Sequence, residues 1–160
     1  METMPKLSVC VPCYGRPERT KRLINQILEQ DLDRWEVFLL GDKCKEFETL
    51  LTSGFIKDAK SKLKLGQYIF AVNFQNHYGG FGYEARNIVR EFAVAPYIIF
   101  IDNDDCIKPN HFSNYLSGIQ GTDCGMVYFD TFIQPTNTVR NAKLSYGGIG
   151  HAEIIVRTEL

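Results

Sequence analysis

The chain has 160 residues, of which 44% are hydrophobic and 23% are charged, a composition typical of a globular domain with a sizeable core. Its 18 basic and 19 acidic residues nearly cancel, so bulk charge gives no support to binding of nucleic acid or of an anionic membrane. No segment reaches the roughly 18 apolar residues of a membrane span, and the first residues lack a hydrophobic signal core. We therefore expect a single cytoplasmic domain over residues 1–160, without a membrane span.

The hydrophobic pattern predicts alternating strands and helices. The first elements are a strand at 6–12, a helix from 17 to about 30, a strand at 35–40, a helix at 46–55, and a helix or loop at 57–64. A strand at 68–72, a polar glycine-rich loop at 73–82, a helix at 84–94 and a strand from 97 follow, then a helix at 109–116, a strand at 125–130 and short edge strands at 138–146 and 152–157. This order predicts an α/β fold with a Rossmann-like, mostly parallel central sheet flanked by helices.

One apolar run, residues 97–101, ends abruptly on the carboxylates of Asp102, Asp104 and Asp105. Carboxylates this close repel one another unless a cation, hydrogen bonds or solvent relieve the repulsion. Mg²⁺ and Mn²⁺ prefer such oxygen ligands and leave positions open for substrate phosphates. The acids alone leave two hypotheses open, a metal and phosphate site or a solvated turn that caps the next helix.

Polar side chains follow four predicted strands at their carboxyl ends. They are Tyr14 and Arg16 after the first strand, Asp42 after the second, the loop 76–86 after the third, and residues 102–105 after the fourth. Parallel strands bring their carboxyl ends to one edge of a sheet, where open α/β sheets bind ligands. We therefore expect one shared cleft, which favours the metal and phosphate hypothesis.

Cysteine spacing offers a different site, which we reject. Five cysteines are present, and Cys10 and Cys13 have the spacing of redox and zinc motifs. No second pair and no histidine pair at ligand spacing accompany them. We expect reduced cysteines that are mostly buried in strands.

A dinucleotide-binding oxidoreductase is a remote alternative. Residues 80–85 spell GxGxxA, and Asp102 follows about twenty residues later, as the NAD(P) fingerprint requires. However, these glycines follow a long polar loop rather than a tight strand-to-helix turn, and the fingerprint leaves the first strand–helix–strand unit without a role.

Four segments, in order, resemble the family 2 glycosyltransferases. Residues 7–18 are similar to the family's "SVVIPTYNRPE" strand and turn, and residues 35–42 to its strand "EIIVVDD". Residues 82–87 are similar to its "G…ARN" helix start, and residues 101–105 to its DxD motif. The resemblance implies the GT-A fold, with a nucleotide-sugar-binding core over 6–120 and the start of an incomplete acceptor-side region over 121–160.

The resemblance also implies roles for residues at the nucleotide end. Pro12, Tyr14 and Arg16 would line the base and ribose end, and Asp42 would accept a hydrogen bond from the base or ribose. The family usually has two acids there, whereas residue 41 is glycine in this chain, so the base preference stays open. Arg86 would lie near the diphosphate, because its planar, always-charged guanidinium suits phosphate oxygens.

For the acidic motif the resemblance implies a divalent metal, Mn²⁺ or Mg²⁺. Asp104 would hold the cation, Asp102 would bind the metal or the ribose, and Asn103 is counted with the nucleotide-sugar-binding residues. Asp105 is a spare acid, with a helix cap as its other interpretation.

The implied activity is transfer of a sugar from a nucleotide-sugar donor, most commonly a UDP-sugar, to an acceptor hydroxyl of a glycan, a lipid-linked glycan or a protein glycan. Such a transfer needs a general base, and the family's base lies downstream of a segment similar to residues 147–160. Only weak candidates remain in this chain: Asp130, Glu153 and His151. The alternative function is therefore a non-catalytic or vestigial nucleotide-sugar-binding domain.

Overall fold

The computed structural model describes residues 4–133, 136–143 and 153–159, without the side chains of Phe81 and residues 131–133. Its strands are β1 (Leu7–Cys13), β2 (Trp35–Gly41), β3 (Gln67–Asn73), β4 (Tyr97–Phe100), β5 (Met126–Tyr128), β6 (Thr131–Ile133), β7 (Thr138–Arg140) and β8 (Ile154–Arg157). Its helices are α1 (Pro17–Leu28), α2 (Lys45–Thr52), α3 (Phe55–Ser61), α4 (Tyr83–Phe92) and α5 (His111–Ile119).

Six strands form one sheet in the order β3-β2-β1-β4-β8-β5. Strands β1 to β4 are mutually parallel, whereas β8 runs antiparallel to both of its neighbours. Strands β6 and β7 pair separately and antiparallel. This arrangement confirms the predicted mostly parallel α/β fold.

Helices cover both faces of this sheet. One face packs against α1, α2, α3 and α5 through a large apolar cluster that includes Val9, Leu39 and Phe112. The other face packs against α4, where Val89 meets Cys10 and Phe38. Because β1 and β2 are covered on both faces, they are continuous apolar runs rather than alternating ones.

The largest departure from the sequence prediction concerns the last strand. We expected an edge strand at 152–157, but β8 lies inside the sheet between β4 and β5. A four-residue apolar segment fits an edge or an interior position equally well, so its pattern could not decide the neighbours. Of the other predicted edge strand, residues 138–140 form β7, and residues 144–146 lie outside the described part of the chain.

The cysteines behave as the sequence predicts in the strands. Cys10 and Cys13 belong to the clusters on opposite faces of β1, so they cannot share a ligand. All five cysteines are free, with Cys10, Cys13 and Cys44 buried but Cys106 and Cys124 exposed. Burial raises the pKa of Cys10 to about 12, which makes it an unreactive thiol.

Within the described ranges, no helix is both long enough and apolar enough to cross a membrane.

A buried carboxylate joins three parts of the fold at the end of the sheet where β1 and β2 begin. One oxygen of Glu36 on β2 accepts hydrogen bonds from Ser8 Oγ at 2.6 Å and from the backbone N–H groups of Val94 and Ala95 at 2.8 and 3.2 Å. Glu36 is 2% exposed. It therefore ties β1 and β2 to the segment that connects α4 with β4.

Removing this carboxylate should destabilise the fold. We expect Glu36→Ala to lower the free energy of unfolding by about 3 kcal/mol, because the buried N–H of Ala95, the part-buried N–H of Val94 and the buried hydroxyl of Ser8 lose their acceptor. Glu36→Gln keeps an acceptor oxygen and should cost clearly less. Urea unfolding of both variants tests this, and equal losses would contradict the role of that oxygen.

A second prediction concerns His111 at the start of α5. Its ring lies 4.4 Å from the Tyr115 ring, and burial lowers its pKa to about 4. Between pH 6.5 and 4 the unfolded chain binds more protons at this site, so stability falls as the pH falls through that window. We expect a loss of up to roughly 3 kcal/mol. Urea unfolding measures how much the free energy of unfolding falls from pH 7 to pH 4.5. The fall should be smaller in His111→Phe than in wild type, and equal falls in the two proteins would contradict this prediction.

Candidate functional site

A cavity of about 810 Å³ opens at the carboxyl ends of β1, β2 and β4. The predicted nucleotide-sugar and metal residues all line it: Pro12, Tyr14, Arg16, Asp42, Arg86, Asp102, Asn103 and Asp104. The structure thus brings together side chains from four segments that are far apart in sequence.

The first turn of α4 forms one wall of this cavity. Arg86 is buried on α4, and its Nη2 lies 3.2 Å from Asp102 Oδ1. Gly82, just before the helix, has a φ of +82°, and a Cβ there would come within 2.7 Å of Pro12. Glycine at this position therefore allows α4 to approach the end of β1 closely and sets the position of Arg86.

Asp104 is surrounded by arginines from the start of α1. Its Oδ2 contacts the guanidinium of Arg16 and lies 3.3 Å from Arg19 Nη1. Arg22 Nη2 donates to the carbonyl oxygens of Asp104 and Asp105, at 2.9 and 3.3 Å. The resemblance implied that Arg16 lies at the base end, but its guanidinium lies at the acidic motif.

Asp105 holds the acidic turn together rather than capping a helix. Its Oδ2 accepts the backbone N–H of Asp102 at 3.0 Å, whereas α5 begins after Asn110. Burial is the main reason that its pKa is raised to about 6; the hydrogen bond from Asp102 opposes the rise, and the charges of Asp102 and Asp104 add to it. The repulsion among the carboxylates is thus reduced in two ways: arginines pair with Asp102 and Asp104, and Asp105 has a raised pKa and so loses its proton less readily.

Asn103 lines the cavity, but its side-chain amide forms hydrogen bonds with other protein groups. It is buried, and its Nδ2 donates to Thr20 Oγ1 at 2.9 Å and to the carbonyl oxygens of Tyr14 and Gly15 at 3.4 Å. The amide therefore holds the β1–α1 turn against the acidic motif.

Asp42 organises the loop after β3. Its carboxylate accepts the backbone N–H groups of Tyr78 and Gly79 at 2.7 and 2.8 Å, and it lies 3.0 Å from His77 Nδ1. It does not cap α2, which begins after Cys44. In this arrangement both oxygens of Asp42 already have protein partners.

His77 is a cavity residue that sequence reasoning missed. Its exposed ring lines the cavity 6.1 Å from the ring of Tyr14, which is also exposed. Its position in the predicted polar loop after the third strand was the available signal.

Neighbouring side chains crowd the position of Gly41. A Cβ on Gly41 would lie 2.4 Å from Asn73 Oδ1 and 2.5 Å from the Phe47 ring. The space that a first acid of the family's pair would need is therefore filled by neighbours in this chain.

The acidic motif fits a divalent cation only in part. The side chains of Asp102 and Asp104 are 50% and 29% exposed, and both line the cavity with oxygen donors that Mg²⁺ and Mn²⁺ prefer. Among the described residues, no group of three or more His, Cys, Asp or Glu could hold a metal ion. A cation held by these two carboxylates would therefore have to take its remaining ligands from water or substrate phosphates.

Asp130 and Glu153, two of the weak candidates for a general base, are not brought to the cavity. Glu153 is buried and accepts from Arg140 Nε at 2.8 Å, and Asp130 accepts the backbone N–H of Ala142 at 2.8 Å. Neither lines the cavity, and His151 lies outside the described residues. Glu84, in the first turn of α4, does line it, and sequence reasoning missed it although the helix start was placed there.

The dinucleotide alternative loses its structural basis. β3 ends at Asn73, whereas the glycine motif begins at Gly80 as a short 3₁₀ turn. The tight strand-to-helix turn of that fingerprint is therefore absent at this motif.

Residues 8–153 match the family model described as Glycosyl transferase family 2. The chain belongs to glycosyl transferase family 2. It is 33% identical over 106 residues to a processive diacylglycerol beta-glycosyltransferase of Mycoplasma genitalium, covering 66% of this chain and 29% of that protein.

Two solved transferases share the fold. A mannosyltransferase from Pyrobaculum calidifontis, solved with GDP-Man and Mn²⁺, aligns with a TM-score of 0.73 at 14% identity, covering 98% of this chain and 45% of that one. TarS of S. aureus, solved with UDP, aligns with a TM-score of 0.61 at 22% identity, covering 76% of this chain and 34% of that one. These likenesses confirm the GT-A type fold. The family 2 chain spans less than half the length of each of the three proteins.

The close approach of Gly82 to Pro12 leaves no room for a side chain at residue 82. We expect Gly82→Ala to lower the free energy of unfolding by more than the ~1–2 kcal/mol that a left-handed backbone costs a non-glycine residue, because its Cβ also collides with Pro12. Gly121→Ala is the matched control, since Gly121 has a φ of +76° and nothing within 4 Å of its Cβ position. Equal losses in urea unfolding would show that the close contact carries no energy.

Proposed function

We propose that this chain contributes the donor-binding part of a metal-dependent glycosyltransferase, which moves a sugar from a nucleotide sugar to an acceptor hydroxyl. One observation carries the proposal. One cavity is lined by exposed aromatic rings together with Arg86 and two carboxylates. This combination suits a ligand that has a flat base at one end and a diphosphate at the other.

The base and ribose belong beside Pro12, Tyr14 and His77 in this proposal. Tyr14 and His77 present exposed rings to the cavity, and a base can stack on such a ring. Asp42 then acts on the nucleotide by holding the loop that carries His77. Asn103 likewise supports the turn that carries Tyr14.

The diphosphate belongs beside α4. Arg86 offers a planar guanidinium that suits phosphate oxygens, and the α4 N-terminus lies at the cavity, where its backbone N–H groups favour an anion. Asp102 pairs with Arg86 and so keeps the guanidinium in place before the donor arrives.

Asp102 and Asp104 are the residues that would hold Mn²⁺ or Mg²⁺. When bound, the cation neutralises the charge that builds on the departing nucleoside diphosphate. The complex of the Pyrobaculum calidifontis neighbour with GDP-Man and Mn²⁺ supports this assignment.

A UDP-sugar is our first candidate donor, supported by the UDP complex of the TarS neighbour. The GDP-Man complex of the second neighbour makes guanosine donors the comparison to test. For the acceptor we propose a hydroxyl of a glycan, a lipid-linked glycan or a protein glycan.

A second candidate function is a nucleotide-sugar-binding domain without catalysis. The placement of Asp130 and Glu153 away from the cavity favours it, because those acids cannot act as the base there. Donor hydrolysis and transfer assays on these 160 residues separate the two candidates, and turnover would exclude the non-catalytic one.

Thermal unfolding tests the proposal directly. UDP, GDP and dTDP and their sugars are compared with and without Mn²⁺, and the correct donor at a hundredfold excess over its Kd should raise Tm by roughly 5 to 10 °C. Asp104→Ala should abolish the Mn²⁺-dependent part of this rise, whereas Asp130→Ala, the matched control outside the cavity, should retain it. No shift with any nucleotide would overturn the proposal.

A further inference from the structure

Three arginines converge on the acidic motif from one side of α1. Arg16 directly precedes the helix, and Arg19 and Arg22 follow at three-residue steps, so they share one helix face. All three contact residue 104 or 105. We call Arg16, Arg19 and Arg22 the arginine row.

The members of the arginine row contact different atoms. Arg16 and Arg19 contact the carboxylate oxygen Oδ2 of Asp104. Arg22 donates only to backbone carbonyl oxygens of the motif. The first two therefore offset the charge of Asp104, whereas Arg22 anchors the loop.

Arg16 and Arg19 hold one oxygen of the carboxylate that would bind a divalent cation. An oxygen that accepts from two guanidinium groups has its lone pairs directed at those groups, and their positive charges repel a dication nearby. Both arginine side chains are more than half exposed, at 57% and 56%. Exposed ion pairs are weak, so a cation that is also held by phosphate oxygens can replace them.

We propose that Arg16 and Arg19 occupy Asp104 while the donor is absent and give it up to the divalent cation when the nucleoside diphosphate enters. Arg16 lines the cavity and Arg19 does not. The Arg16 guanidinium therefore moves from Asp104 to the entering diphosphate. Arg19 only competes with the metal for Asp104. This inference rests on the proposed function.

The exchange has a signature that structural damage does not produce. Removing Arg19 or Arg16 should tighten Mn²⁺ binding by about two- to fivefold each, the factor that corresponds to a typical exposed ion pair. Removing Arg16 should also weaken binding of the nucleoside diphosphate, while removing Arg19 should not. A damaged site would weaken both ligands together.

The experiment titrates Mn²⁺ into wild type, Arg16→Ala, Arg19→Ala and Lys21→Ala, with free Mn²⁺ followed by electron paramagnetic resonance. Lys21→Ala is the matched control, because it removes the same charge from the same helix but pairs with Glu18. UDP and GDP are then titrated at saturating Mn²⁺ by calorimetry. Where Mn²⁺ alone binds too weakly in all four proteins, apparent Mn²⁺ constants are measured at saturating UDP or GDP. Arg16 is then already held by the diphosphate, so tighter Mn²⁺ binding in Arg19→Ala than in wild type and Lys21→Ala supports the exchange, and equal constants overturn it.

Tighter Mn²⁺ binding in both arginine variants, with wild-type affinity in Lys21→Ala and weaker nucleotide binding only in Arg16→Ala, supports the exchange. Equal Mn²⁺ affinity in all four proteins, or parallel loss of metal and nucleotide affinity, overturns it. If the proposed function is wrong, the result is different: wild type binds no nucleotide at any Mn²⁺ concentration.

Discussion

The parallel pairing of β1 with both β2 and β4 is the constraint on which the site depends. Cys13 is level with Gly41 in one pair and Cys10 with Phe100 in the other, so the three strands end at the same edge. Each strand is buried on both faces, mostly through apolar side chains, so solvent-facing polar residues follow where the strands end. Tyr14, Asp42 and the acidic motif meet for that reason.

Bringing so many charges to one edge requires that they compensate one another. Arg86 pairs with Asp102, the two arginines nearest the start of α1 pair with Asp104, and Asp42 accepts backbone N–H groups. Repulsion among neighbouring acids is reduced by these partners. A ligand that binds in such a cavity replaces some of these protein partners. Because the charged side chains are already held in place, little free energy is spent on ordering them when the ligand binds.

The sequence predicted most of the helices and strands and the sheet edge where the site lies, because apolar runs and polar residues at strand ends are local patterns. It did not predict β6. It did not predict partners that only tertiary structure creates: the use of both Asp42 oxygens by the 77–79 loop, the buried acceptor Glu36, and the amide of Asn103 held by Thr20. Arg19 could have been found, since it lies three residues after Arg16 on a predicted helix, whereas the interior position of β8 could not.

That interior position has a consequence for how the chain folds as it is synthesised. Tyr97 on β4 pairs with Arg157, sixty residues later, and among the described strands β5 has β8 as its one partner in the sheet. Until residues 154–157 leave the ribosome, one edge of β4 presents unpaired backbone groups, which are templates for pairing with other chains. Closure of the sheet is thus a late, long-range step, and nascent chains that stall before it should be the ones that need chaperone protection.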